Sequence, residues 1–298
     1  MAKTAWVFPG QGSQTVGMGA DLAEHELAQE KFAKAENILG WSVLAVCQGE
    51  ADKLSHTRYT QPCLYVVESV LCDLLKAQGQ QPDLVAGHSL GEYSALYAAG
   101  VFKFEAGLKL VQRRAELMSQ AADGAMAALM GFDREELMAK LAATEGVVLA
   151  NDNNPGQVVI SGTPAAVETI MQAVKSRRAV KLNVSGAFHS PLMADAAQAF
   201  ESVLAKVPFQ PAQVPVMSNV DPTPSTDGRM LKQRLTEQMT GSVRWREISL
   251  QLPEADVEAV IEVGPGSVLS GLIKRTCKGL TLMAVGTAAQ VAALQGDE

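Results

Sequence analysis

The chain has few of the side chains that usually hold metals or disulfides. It carries four cysteines and four histidines in 298 residues. Cys47, Cys63, Cys72 and Cys277 show no C-x-x-C spacing and no neighbouring histidines, which argues against both a zinc site and a disulfide frame. They read as reduced core thiols of a cytoplasmic protein, with no metal and no cofactor expected. No apolar stretch approaches the ~20 residues of a membrane span. The start has one basic residue and then a short apolar run stopped by Pro9, which fits neither a secretory signal nor a transit peptide. Charged residues make up only 19%, with a net charge of -7, so an average surface of this sign repels nucleic acid and anionic membranes, and neither is expected as a partner. Repeats and low-complexity segments are lacking. What is abundant is apolar: 47% of residues are hydrophobic, enough for a large core.

Short apolar runs alternate with helical stretches. Residues 4–8 read as a buried strand feeding the loop Pro9-Gly10-Gln11-Gly12. A polar helix is predicted at 22–39, a longer one at 61–78 with Pro62 in its first turn, a short strand at 84–86, a turn at 87–91, and helices at 92–99 and 104–120. From Gly124 the pattern becomes strand 125–130, helix 134–144, strand 147–150, a turn-rich link 151–156, strand 157–162, helix 165–175 and strand 179–184. That is one βαββαβ unit, the split βαβ pattern of ferredoxin-like domains. After His189 follow a helix at 192–207, a strand at 214–218, a helix near 230–239, then strand, Gly264-Pro265-Gly266 turn, helix and strand 280–285. The fold class expected is α/β: a mostly parallel, doubly wound, hydrolase-like core formed by 1–123 and 190–298, with a ferredoxin-like subdomain inserted at 124–189.

Gly87-His88-Ser89-Leu90-Gly91 matches G-x-S-x-G. In this elbow, glycines flank a serine because the turn packs too tightly for side chains, and the hydroxyl is lifted clear at a helix start. A glycine-rich turn with a capping serine meets the same five-residue pattern, but the preceding apolar strand favours a nucleophile. An activated serine needs a base. His25 lies in a charged helical stretch, His56 in a polar loop, and His88 beside the serine points elsewhere around a tight turn. His189, in Gly186-Ala187-Phe188-His189-Ser190-Pro191 between a strand and a helix, is the best candidate.

Four segments together resemble the malonyl-CoA:acyl carrier protein transacylases and the related acyltransferase domains. They are Phe8-Pro9-Gly10-Gln11-Gly12-Ser13-Gln14, Gly87-His88-Ser89-Leu90-Gly91-Glu92-Tyr93-Ser94-Ala95-Leu96, Gly186-Ala187-Phe188-His189-Ser190 and Glu262-Val263-Gly264-Pro265-Gly266. The resemblance covers nearly the whole chain. It implies transfer of malonyl groups from malonyl-CoA to an acyl carrier protein, with Ser89 as nucleophile and His189 as general base and acid. The backbone N–H groups of Gln11 and Leu90 would form the oxyanion hole, and Arg114 would bind the malonyl carboxylate, with Arg113 as its competitor. Gln238 resembles the residue whose carbonyl orients the histidine, although Ser242 stands where the family usually has proline. A chain without fused synthase domains favours fatty-acid synthesis, and a monomer is expected. Arg177, Arg178, Lys274 and Arg275 are candidate contacts for an acidic carrier.

A serine hydrolase of the α/β type would also use G-x-S-x-G, with Asp123, Asp133 or Asp152 as the acid between Ser89 and His189. No H-G-G-G segment occurs, and a hydrolase has no evident use for the paired arginines. A docking module that has lost catalysis would not need Ser89, His189, Gln11 and Arg114 together.

Overall fold

A computed structural model describes residues 3–121, 124–184 and 186–294. Five strands form one parallel sheet in the order β7-β2-β1-β8-β9, namely β7 (Val216–Met217), β2 (Leu84–Gly87), β1 (Lys3–Phe8), β8 (Val257–Val263) and β9 (Thr281–Val285). Alternation along β1 shows why helices cover both faces. Trp6 and Phe8 enter one apolar cluster with the helices Thr57–Ala77 and Phe104–Gln120, while Ala5 and Val7 enter another with Trp245, Ile248 and Leu272. The core is thus a doubly wound α/β layer structure.

The second sheet is antiparallel, in the order β4-β5-β3-β6: β4 (Val147–Asn154), β5 (Gln157–Gly162), β3 (Ala125–Phe132) and β6 (Ser176–Lys181). The helices Arg134–Ala142 and Pro164–Ala173 pack on it around Leu129, Ile160 and Val167, giving the ferredoxin-like order expected of a βαββαβ unit. The four strands of this sheet lie between Ala125 and Lys181, inside the expected limits 124–189; residues 122, 123 and 185 lie outside the described residues.

Several expected boundaries shift. β4 runs on through the polar residues Asn151 to Asn154, because Asn151, Asp152 and Asn154 pair with β5, and only Pro155 and Gly156 turn. The last strand of the small sheet comes earlier than 179–184, with Arg178 opposite Met130; an edge strand keeps one face in solvent and tolerates such charge. The long helix starts at Thr57, so Pro62 lies in its second turn and forfeits a backbone bond. The helix Trp245–Glu254 carries Pro253 in its last turn and was not predicted. No helix among the described residues is long and apolar enough to cross a membrane.

The segment before the helix Trp245–Glu254 reaches across to β4 of the small sheet. Val243 forms a parallel bridge with Asn151, its N–H donating to Ala150 (2.8 Å) and its carbonyl accepting from Asp152 (2.9 Å).

Candidate active site

Ser89 sits where β2 ends and the helix Gly91–Ala98 begins, with φ of 53°. Holding a non-glycine residue in this left-handed region costs on the order of 1–3 kcal/mol, so the surroundings must enforce it. They do so by proximity. A Cβ on Gly91 would lie 2.0 Å from the Phe8 carbonyl oxygen, and one on Gly87 would lie 1.9 Å from the Gly91 carbonyl carbon. Only glycine fits at either position. Asn219, just beyond β7, clamps the turn from the side: its Oδ1 accepts the Ser89 N–H (2.7 Å) and its Nδ2 donates to the Gly87 carbonyl (2.6 Å).

The Ser89 hydroxyl is 2.7 Å from His189 Nε2. The other ring nitrogen, Nδ1, faces the carbonyl oxygens of Gln238 (3.0 Å) and Gly241 (3.2 Å). Carbonyls only accept, so the proton resides on Nδ1, and Nε2 is left to accept from the serine. Burial, and secondarily the Arg114 charge, lowers the His189 imidazole to about 3, against the pull of the Gln238 carbonyl. At neutral pH it is therefore an unprotonated base.

Arg114 projects from the helix Phe104–Gln120 and is almost completely buried. Its Nη2 donates to Ser89 Oγ (3.0 Å) and Gln238 Oε1 (3.1 Å), its Nη1 donates to Gln61 Oε1 (2.7 Å), and the guanidinium lies 5.4 Å from the Tyr93 ring centre. Arg113, its sequence competitor, is partly exposed and pairs with Glu116. Gln11, Gln61, Ser89, Leu90, Arg114 and His189 all line one small cavity of about 90 Å³. The structure thus brings together every site residue expected from the sequence. Gln238 meets His189 through its carbonyl, and also Arg114 through its side chain.

Gln61, Asn219 and Glu92 were missed. The signal available for each was a polar residue inside an apolar setting: Gln61 on a buried helix, Asn219 after a core strand, Glu92 on an alanine-rich helix.

His88 is turned away from the hydroxyl, its Nε2 meeting Asn153 Oδ1 of β4 at 2.8 Å. Among the described residues, neither Asp133 nor Asp152 serves as a hydrolase acid, and His189 Nδ1 faces carbonyl oxygens instead. Asp133 caps the helix Arg134–Ala142, Asp152 pairs with Arg134 and Arg246, and Asp123 lies outside the described residues. Arg177, Arg178, Lys274 and Arg275 are exposed, the first two on β6 and the others at the end of the helix Val268–Thr276.

The acyl transferase domain family matches residues 5–297. A malonyl CoA-acyl carrier protein transacylase of Synechocystis sp. is 59% identical over 284 residues, covering 95% of this chain and 97% of that protein. The chain belongs to the malonyl-CoA:acyl carrier protein transacylase family. It is an acyltransferase by that membership. The crystal structure of the Synechocystis transacylase superposes with a TM-score of 0.96 at 58% identity, covering 98% of this chain and 99% of that one. A chain in the structure of a type II PKS acyl-carrier protein in complex with its malonyl-transacylase matches with a TM-score of 0.95 at 36% identity, covering 100% of this chain and 100% of that one. The transacylase fold therefore extends across both sheets, and neither sheet is peculiar to this chain.

Proposed function

We propose that this enzyme moves a malonyl group from malonyl-CoA to the phosphopantetheine thiol of an acyl carrier protein through an ester on Ser89, supplying extender units for fatty-acid synthesis in the cytoplasm. The observation that carries the reading is the Ser89 hydroxyl, held between a neutral imidazole and a buried guanidinium.

In the first half-reaction Ser89 Oγ attacks the thioester carbonyl carbon while His189 Nε2 takes the hydroxyl proton. The charge that develops on the carbonyl oxygen is met by the main-chain N–H groups of Gln11 and Leu90, donors already fixed by the loop and the helix start. The C–S bond then breaks, the CoA sulfur takes the proton from His189, and malonyl-Ser89 remains. The carrier thiol reverses these steps: it gives its proton to His189, forms the new thioester, and Ser89 Oγ recovers a proton. A thioester is more reactive than an amide, so two carbonyls orienting the histidine suffice where proteases use a carboxylate. A cavity of about 90 Å³ takes the acyl end of the donor and leaves the bulk of CoA outside.

Intact mass after mixing with malonyl-CoA tests the reading directly. A malonyl-sized gain that disappears when carrier protein is added supports it, and release of free malonate at the same rate without carrier opposes it. Carriers from fatty-acid and polyketide systems, compared side by side, decide the pathway.

Arg114 is expected to select malonyl over acetyl. A guanidinium matches a carboxylate with a planar fork that lysine cannot copy. Hydrogen bonds to charged groups contribute about 1.5 to 3 kcal/mol each, so losing a bidentate pair lowers malonyl kcat/KM by roughly 10²-fold or more. Arg114→Ala should show that loss with acetyl-CoA unchanged or improved, Arg114→Lys should recover part of it, and the solvated Arg113→Ala should change neither substrate. Parallel kcat/KM measurements with both donors check this.

A further inference from the structure

Arg114 meets only neutral acceptors; among the described residues no carboxylate forms an ion pair with it. A buried guanidinium without a counter-charge is costly, yet a carboxylate placed directly on it would occupy the fork that the substrate needs. Glu92 resolves this conflict from a distance. It is fully buried, lies outside the lining of the cavity, and does not touch the reacting groups. Its Oε2 accepts the Gln238 side-chain N–H (2.7 Å) and the Asn219 main-chain N–H (3.1 Å). A guanidinium only donates, so the Gln238 amide must present its oxygen to Arg114 and its nitrogen to Glu92. Burial raises the Glu92 carboxyl above its ordinary value, and the Gln238 and Asn219 N–H groups and the Arg114 charge pull it back down. The same nitrogen donates to the Ser89 carbonyl (2.9 Å), and Asn219 holds the Ser89 N–H.

We propose, on the transacylase reading above, that Glu92 is a positioning residue for malonyl selectivity. It balances and aims Arg114 through the Gln238 amide, one amide group removed, so that the guanidinium is held without being occupied.

The test is kcat/KM for malonyl-CoA and acetyl-CoA in Glu92→Gln, which keeps size and one acceptor oxygen but cannot carry a negative charge, in Gln238→Ala, and in the double variant, with thermal melts of each. The malonyl-to-acetyl ratio should fall tenfold or more in both single variants, and the double variant should fall no further than Gln238→Ala alone, since both changes cut one connection. A purely structural role would lower both donors equally and leave the ratio where it was; that result, or independent losses that multiply in the double variant, overturns the proposal. If Glu92→Gln does not fold, Gln238→Ala decides: a reduced ratio supports the proposal and an unchanged one overturns it. A wild-type chain that gains no malonyl mass overturns the transacylase reading and Glu92 with it, whereas a labelled wild type with an unchanged ratio in the variants overturns Glu92 alone.

Discussion

Ser89→Ala should gain no malonyl mass and should lose transfer by roughly 10⁶-fold, the scale seen when an activated serine nucleophile is removed. The fold should persist. The substitution removes one atom whose contacts are functional, and the elbow is still imposed by the close approach of Gly87 and Gly91 to neighbouring backbone and by the Asn219 clamp. Intact mass and a thermal melt on the same sample separate loss of chemistry from loss of structure. A normally labelled Ser89→Ala protein would mean that another group carries the acyl chain.

His189→Ala should lower acylation by about 10²- to 10⁴-fold, the usual worth of general-base help. The pH dependence gives the finer test. With the imidazole lowered to about 3, chiefly by burial and then by Arg114, the base form persists well below the ordinary histidine range, and acylation should stay nearly level on acidification through pH 6.5. Arg114→Ala removes one of the lowering causes, so its acid limb should move upward. Stability follows the opposite protonation logic. Between about pH 3 and 6.5 the unfolded chain binds a proton at His189 that the folded chain refuses, so this residue costs stability as pH falls through that window, and the cost is absent above it. His189→Ala should therefore flatten part of the acid-side decline in melting temperature. By contrast, the half-buried His88, tied to Asn153 of the small sheet, should on substitution by alanine lose activity mainly through lost stability.

The elbow and the histidine were legible in the sequence because each depends on local pattern: glycines sit where only glycine fits, and a histidine stands in a loop before a proline. Arg114 entered only through the family resemblance, on a helix that begins and ends as expected, at Phe104 and Gln120. The ferredoxin-like unit was legible through the alternation of strands and helices. The start of the long helix was not, because Pro62 reads as a first-turn residue and tertiary packing of Thr57 and Thr60 overrides that signal. Nor was the helix Trp245–Glu254, whose apolar face is short and whose end contains a proline. How Glu92, Asn219 and Gln238 connect could not be read from the sequence, since Glu92 is more than 100 positions from the other two and meets them only once β2 and β7 are paired.

The four cysteines bear on the chemistry by where they are kept. Cys47, Cys63 and Cys72 are buried and Cys277 is half-buried, and burial raises the thiols of Cys72 to about 12 and of Cys277 above its ordinary value. None of them lines the cavity that holds Ser89. Thiolates exchange acyl groups readily with thioesters, so an accessible, ionised cysteine near the serine would intercept the cargo and leave it stranded on the wrong atom. On the proposed mechanism, no cysteine lining that cavity competes with the carrier thiol for the ester. Thiol-alkylating reagents should accordingly spare the enzyme while consuming its acceptor.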